Sequence, residues 1–135
     1  MKVSIFQQAP YRHLPPHFEK HHDSVVTTPY FEIVKPGLMH QDLTDFIGEL
    51  MLGARLGFDG VAVTEHSQSS YDVVPNPNLI GSILAYQTEL EKLDVAIAVV
   101  GRSLGKSREP LRIAEEYAMI DQISNGRLIA GFPIG

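Results

Sequence analysis

Four short apolar runs alternate along this sequence with stretches of helical spacing. The runs lie at residues 2–6, 61–64, 93–100 and 127–131. The third is nearly unbroken valine, isoleucine and alanine, which is typical of a strand covered on both faces. Strands that alternate with helices form parallel sheets with right-handed crossovers. The pattern therefore predicts an α/β fold with four parallel strands.

Three helices are predicted between these strands. Apolar residues recur on one stripe from about residue 39 up to Gly57, which is a plausible helix stop because glycine reaches left-handed conformations cheaply. Asn76 is a candidate cap for the second helix, with Pro77 at its first helical position. The third helix is expected to begin at Pro110 and to end at Asn125-Gly126.

Two architectures fit this order of elements: a small doubly wound sheet, or the first half of a (β/α)8 TIM barrel. A complete barrel takes about 250 residues, so a chain of 135 residues would supply about half. We treat residues 1–135 as one domain. Residues 7–38 carry most of the prolines and little periodicity, and long irregular segments of this kind are functional loops or disordered. We expect this segment on the active-site side.

Composition narrows the classes of function. The net charge of −5 offers no electrostatic case for nucleic acid or an anionic membrane. The sequence has no cysteine, so disulfides, thiolate nucleophiles and cysteine metal sites are excluded. No apolar run approaches the roughly 20 residues that span a bilayer. We therefore expect a cytoplasmic protein.

A carboxylate and an imidazole, Glu65 and His66, follow the second strand directly. In parallel α/β folds, ligands bind at the carboxyl ends of the strands. Histidine exchanges a proton near neutral pH, and an adjacent carboxylate can hold its tautomer. The alternative is that Glu65 makes a structural salt bridge and His66 caps the loop. Spacing alone leaves both interpretations open.

The loop Gly-Arg-Ser-Leu-Gly-Lys-Ser at residues 101–107 is similar to a phosphate-binding loop but does not match one. The pattern needs four residues between its glycines, and only three stand here. Arg102, Lys106 and Arg108 still form a basic loop that could hold an anionic substrate or cofactor tail. A solvated basic loop is the simpler interpretation.

Two further sets of residues, one of histidines and one of aromatic residues, are candidate ligand contacts. His17 and His21 would share one face of a helix and could bind zinc, but nearby prolines disfavour a helix and no third ligand is placed by sequence. We therefore predict no metal site. Tyr30, Phe31 and Tyr71 lie in predicted loops, where aromatic side chains either line a ligand pocket or pin the loops.

Several motifs together resemble the bacterial luciferase-like monooxygenase family. They are Gly-Phe-Asp-Gly-Val-Ala-Val-Thr-Glu-His at 57–66, Asn-Pro at 76–77, Leu-Arg-Ile-Ala-Glu-Glu at 111–116 and Asp-Gln-Ile-Ser-Asn-Gly-Arg at 121–127. They occur in the family's order and cover about residues 39–135. One motif alone would be weak, whereas the ordered set is specific.

The resemblance implies a (β/α)8 barrel that uses reduced FMN and O2 to oxidise a small organic substrate. FMN is favoured over the deazaflavin F420, and the reduced flavin usually comes from a separate reductase. The resemblance places His66 in the active site, as hydrogen-bond partner or general base. Glu65 would stand behind it as an orienting or structural carboxylate.

The resemblance also assigns the cofactor contacts. It places Ala98, Val99 and Val100 beside the flavin ring, where the family often has a non-prolyl cis peptide. Arg102, from the basic loop that follows, is a further candidate cofactor-binding residue.

Departures from the family concern the second histidine and the flavin phosphate. Ser67 stands where many members have a second histidine. Ile134 stands where luciferases carry an arginine that helps bind the flavin phosphate. Phosphate binding would then fall to Arg102, Lys106 or Arg108, or to residues outside this chain.

A half-barrel leaves strand edges unpaired and apolar faces uncovered. We therefore expect this chain alone to be poorly soluble, homo-oligomeric or partly molten, and to have negligible monooxygenase activity. Two other functions stay open: a non-catalytic half-barrel remnant that acts through self-association or a partner, and a small α/β protein that binds a phosphate ligand through the loop at 101–107.

Overall fold

A parallel four-stranded sheet with its crossover helices forms the framework of the computed structural model, which describes residues 1–66, 69–105 and 107–134. The strands are β1 Ser4–Phe6, β2 Gly60–Val63, β3 Ala96–Val99 and β4 Leu128–Ala130. The helices are α1 Phe18–His21, α2 Tyr30–Ile33, α3 Pro36–Arg55, α4 Pro77–Leu90 and α5 Pro110–Ile123. Within the described residues, no helix combines the length and apolar character that a membrane crossing requires.

The strands lie in the sheet in the order in which they occur along the chain, β1-β2-β3-β4, and every neighbouring pair is parallel. A doubly wound sheet reverses its strand order at a switch point, whereas a (β/α)8 barrel does not. The observed order therefore confirms the barrel-type α/β fold, of which these strands form an arc.

The two faces of the sheet differ in what covers them. Ile97 and Val99 are fully buried and face α4. The intervening Ala98 belongs to a row on the opposite face that runs across the sheet from Phe6 to Ile129. Phe6 and Ile129 are 54% and 50% exposed. The helices thus cover one face, and the face that would line a barrel stays partly open.

Helix boundaries lie where local chemistry predicts them. Gly57 follows α3 with a φ of +91°, and the side-chain oxygen of Asn76 accepts a hydrogen bond of 3.0 Å from the N–H of Asn78 at the start of α4. After α5, Asn125 and Gly126 both take left-handed conformations. These predictions are confirmed, although α3 begins at Pro36, earlier than the periodicity indicates.

Residues 7–38 form a packed segment with two helical turns, α1 and α2, that the sequence did not predict. Single turns of four residues are too short to show helical periodicity, and the expectation against any helix next to His17 was wrong. Tyr11 and Ile33 are buried in the main core. The segment is therefore anchored to the main core and is not detached from it.

Arg127 joins the amino-terminal ends of β3 and β4 to α4. One guanidinium nitrogen, Nη1, donates to the hydroxyl of Thr88 at 3.0 Å and to the carbonyls of Leu93 and Val95 at 3.1 and 2.8 Å. The side chain of Arg127 is only 14% exposed. Because three acceptors depend on one planar group, its loss would leave buried oxygens without a donor.

We expect Arg127→Lys to lower the free energy of unfolding by about 2 kcal/mol, because one ammonium cannot replace both Nη1 and Nε, which donates to the carbonyl of Ser124 at 2.7 Å, and each orphaned group costs about 1–3 kcal/mol. Urea denaturation measures the change. Arg112→Lys is the matched control, since Arg112 is exposed and its one ion pair among the described residues is with Glu115 on its own helix; a change of less than about 0.5 kcal/mol is expected there. Equal effects of the two substitutions would contradict the role of Arg127.

Candidate active site

His66 lies at the carboxyl end of β2, held by contacts from two directions. Its backbone N–H donates to the carbonyl of Val74 at 3.2 Å, which closes the loop that follows the strand. Its Nε2 lies 3.2 Å from Nε2 of Gln8, in the segment after β1. Tyr71 packs edge-on against the imidazole, with ring centroids 5.2 Å apart. The ring is therefore fixed between two loops rather than free in solvent.

A cavity of about 610 Å³ lies beside His66, within the size range of small-molecule sites. Its lining residues come from the segment 7–38, the start of α3 and the loop after β2: Pro29, Tyr30, Phe31, Met39, His66, Ser69, Asp72, Val73 and Pro75. Tyr30 and Phe31, which lie in α2 and not in a loop as predicted, thus line the cavity, and Tyr71 contacts the imidazole.

Backbone hydrogen bonds tie the wall of this cavity to the segment after β1. The N–H of Tyr11 donates to the carbonyl of Ser70 at 2.9 Å, and the N–H of Val73 donates to the carbonyl of Ala9 at 2.8 Å. The hydroxyl of Ser70 also donates to the carbonyl of Val25 at 3.1 Å. The two loops therefore form one unit over the end of the sheet.

Asp72 is a polar residue of the cavity that the sequence analysis missed. It is 1% exposed, and its Oδ1 accepts a hydrogen bond of 3.0 Å from the N–H of Val74. Burial raises the pKa of the Asp72 carboxyl above its usual value, while the N–H groups of Val74 and Ala9 and the charge of His66 oppose that shift. No local motif marks this aspartate, because its burial comes from the packing of residues 7–13.

Glu65 does not pair with its neighbour His66 but reaches across to the loop after β3. Its Oε2 accepts a hydrogen bond of 2.7 Å from Nη1 of Arg102, and the side chains are 12% and 21% exposed. Successive side chains on extended backbone point to opposite sides, so the imidazole faces the cavity and the carboxylate faces the next strand. The expected orienting contact of Glu65 with His66 is replaced by this ion pair; the catalytic roles of both residues stay predictions.

The charge of Arg102, the predicted cofactor contact, is largely neutralised by its ion pair with Glu65. Its Nε is buried without a hydrogen-bond partner among the described residues. Burial raises the pKa of the neighbouring Tyr117 to about 12, with the charge of Arg102 opposing the shift, and the Tyr117 hydroxyl donates to the carbonyl of Gly131 at 3.3 Å. Of the other predicted basic residues, Arg108 is exposed and Lys106 lies outside the described residues.

The end of β3 is regular backbone. Ala98 and Val99 are buried, Val100 is 38% exposed, and the N–H of Val100 donates to the carbonyl of Val63 at 2.9 Å. The peptide bonds here are trans. The cis peptide that the family often has at this place is therefore not found here, and the ladder between β2 and β3 continues through Val100. That these three residues contact a flavin stays a prediction.

Gly101 explains how closely the loops after β2 and β3 approach. A Cβ at this position would lie 2.2 Å from the backbone nitrogen of Glu65, so only glycine fits. On the other side, the hydroxyl of Ser103 donates to the carbonyl of Ile134 at 3.2 Å. Ile134 itself is 98% exposed, and Ser67, the other departure from the family, lies outside the described residues.

The histidines of the early segment form no ligand set. His17 precedes α1 in a left-handed conformation and His21 ends that turn. Among the residues that the structure describes, no group of three or more histidine, cysteine, aspartate or glutamate side chains is arranged to hold a metal ion.

Comparison with known proteins places this site in a family. The family model described as luciferase-like monooxygenase matches residues 23–132. The chain belongs to the luciferase-like monooxygenase family. Among its relatives, the alkanal monooxygenase beta chain of Photorhabdus luminescens is 32% identical over 92 residues, which is 68% of this chain and 25% of the relative. An uncharacterized protein of Sinorhizobium fredii is 35% identical over 81 residues, 60% of this chain and 22% of its own.

Solved structures of similar fold cover nearly the whole chain. The oxygenating constituent of 3,6-diketocamphane monooxygenase from the CAM plasmid of Pseudomonas putida, a type II Baeyer–Villiger monooxygenase in complex with FMN, matches with a TM-score of 0.69 and 18% identity over 100% of this chain and 30% of its own. Apo-MsnO8 matches with a TM-score of 0.67 and 23% identity over 97% and 31%. This luciferase-like chain therefore spans about a quarter of the curated relatives and under a third of these structures.

We expect Asp72→Asn to stabilise the protein at neutral pH by about 1 kcal/mol, because asparagine keeps the acceptor for Val74 but removes a buried charge. A carboxyl whose pKa is raised by folding costs stability as the pH rises through its folded pKa. The difference between variant and parent should therefore vanish in acid. Thermal unfolding across a pH series measures it.

Asp45→Asn on α3 is the control for that series, since Asp45 is exposed and its loss removes the same formal charge. It should change the melting temperature little at any pH. A destabilised Asp72→Asn at neutral pH, or a difference that persists unchanged in acid, would contradict the account of the buried carboxyl.

Proposed function

We propose that this chain supplies the first half of the barrel of a flavin-dependent monooxygenase, which uses reduced FMN and O2 to oxidise a small organic substrate. The observation that carries the proposal is the position of His66. It stands at the wall of a ligand-sized cavity, at the carboxyl end of β2, inside the residues that match the family. Ligands of βα barrels bind at that end.

The residues at the ends of β2 and β3 fit a flavin. Ala98 places a small side chain on the open face of the sheet, and Val100 adds a partly exposed apolar side chain beside it. The buried Nε of Arg102 is a donor that lacks an acceptor among the described residues, and it would hold an oxygen of the cofactor. The FMN in the 3,6-diketocamphane monooxygenase constituent favours FMN over F420. When bound, the reduced flavin supplies electrons and activates O2; we expect a separate reductase to provide it.

The polar side chains at this end of the sheet would have separate roles in the reaction. His66 would hold or pass a proton at Nε2, the nitrogen that contacts Gln8, since imidazole exchanges protons near neutral pH. Glu65 would act through Arg102, because their ion pair fixes the distance between the loops after β2 and β3. The segment 7–38 would shield the reacting atoms from water by covering the cavity.

The architecture supports completion of the barrel by further strands. The luciferase-like chain covers 25% of the alkanal monooxygenase beta chain and 30% of the 3,6-diketocamphane monooxygenase constituent. In the described sheet, β1 and β4 each pair with one neighbour, and the end residues Phe6 and Ile129 of the row across the sheet are half exposed, whereas Ala62 and Ala98 between them are buried. We propose that residues 1–135 form an N-terminal portion of the barrel, that turnover needs the closed barrel, and that the open edges favour self-association when the chain stands alone.

The ion pair that Arg102 makes argues against the alternative function, in which the loop at 101–107 binds a phosphate ligand. Its guanidinium is paired with Glu65 at 2.7 Å, so the loop offers less free charge than the sequence indicates. α5 begins only at Pro110, and a loop that cradles phosphate places its donors at the first turn of the following helix.

We expect His66→Ala to lower flavin-dependent oxygenation by about 100-fold, the usual contribution of a proton-transferring side chain, with the fold unchanged. The assay is O2-dependent oxidation of reduced FMN coupled to a substrate, on the polypeptide as its gene encodes it, with circular dichroism as the check of folding. His40→Ala on the exposed side of α3 is the control. Wild-type turnover by His66→Ala would remove this histidine from the mechanism.

A further inference from the structure

The cavity beside His66 carries one carboxylate and no lysine or arginine among its described lining residues. The lining comprises six apolar or aromatic residues (Pro29, Tyr30, Phe31, Met39, Val73 and Pro75), together with Ser69, His66 and Asp72. The electrostatic character of this space is therefore set by Asp72, with His66 as the group that can oppose it.

The carboxyl of Asp72 has no lysine or arginine partner among the described residues. Among the described residues it makes no salt bridge within 4.0 Å, and the groups that donate to its carboxyl are the backbone N–H groups of Val74, at 3.0 Å, and Ala9. It is 1% exposed, so water screens the charge weakly. A buried carboxylate in this position attracts a ligand cation and repels a ligand anion.

The aromatic wall points to the same ligand chemistry. Tyr30 and Phe31 line the cavity together with Asp72, and Phe31 is 82% exposed, so its ring is open to a ligand. The faces of aromatic rings attract ammonium groups. An ammonium ion between aromatic rings and a carboxylate would be stabilised from both sides, while an alkyl body would cover Met39 and Val73.

We propose that this cavity binds an apolar small molecule that carries a protonated amine, and that Asp72 is the residue that selects the amine. Taking this amine as the substrate to be oxidised rests on the proposed monooxygenase function, whereas the binding itself does not. The selection is a matter of charge: the carboxylate pairs with the ammonium head, and the apolar walls accept the rest of the molecule without distinguishing its head group.

The test compares octylamine, octanol and octanoate, which share one alkyl length and differ in the charge of the head. Isothermal titration calorimetry at neutral pH, below the micellar concentration of each probe and without flavin, measures the three dissociation constants. We expect octylamine to bind at least tenfold more tightly than octanoate, with octanol between them. Equal affinities, a preference for octanoate, or no binding of any probe would overturn the proposal.

Three variants separate the head-group effect from the apolar one. Asp72→Asn should bring octylamine and octanol within about threefold of each other while leaving octanol binding unchanged. Asp45→Asn removes the same formal charge from an exposed site and should keep the preference for the amine. Phe31→Ala, at an exposed ring, should weaken all three probes. Persistence of the amine preference in Asp72→Asn would refute the assignment of Asp72.

The affinities of the three probes and the oxidation of reduced FMN test the two proposals separately. If the protein shows the predicted order but consumes no reduced FMN with O2, the monooxygenase function is wrong and the amine site stands. If it oxidises reduced FMN but binds the three probes alike, the function stands and the amine selectivity is wrong.

Discussion

Parallel pairing in chain order brings every functional element of this molecule to one edge. Because β1 to β4 all run in the same direction, the loops after β2, β3 and β4 leave the sheet side by side. Three contacts join them in series: Glu65 with Arg102, Ser103 with the carbonyl of Ile134, and the N–H of Gly131 with the carbonyl of Val99. The absence of a side chain at Gly101 makes the first of these approaches possible. A different strand order would separate His66 from the β3 loop and remove the site.

The segment after β1 turns that edge into a cavity. Its backbone bonds to Ser70 and Val73 pull the loop after β2 inward, and this is what buries Asp72 beside His66. Burying a carboxylate lowers stability unless a partner compensates it. A protein that keeps such a group at the wall of a cavity has exchanged some stability for recognition, as active sites commonly do. Under the proposed amine selectivity, stability and ligand choice are linked through this one side chain.

The features that sequence could predict are those determined by neighbours along the chain. The stop at Gly57, the cap at Asn76 and the turn at Asn125-Gly126 depend on backbone preferences of single residues, and they lie where expected. The strand-end position of Glu65 and His66 followed from the same local pattern. The partners of these side chains did not, because Arg102 stands 37 residues away. Asp72 looked like one more polar loop residue, since its burial needs residues that precede it by about sixty positions.

Cofactor and substrate are proposed to meet at the carboxyl ends of the strands. Hydrogen–deuterium exchange of the encoded polypeptide, with and without reduced FMN under anaerobic conditions, tests it directly. The account predicts added protection at residues 64–66 and 98–103. It predicts none at the opposite end, where a second cavity is lined by Lys2, Asp59 and Arg127. Protection confined to that opposite cavity, or absent from both ends, would contradict the account.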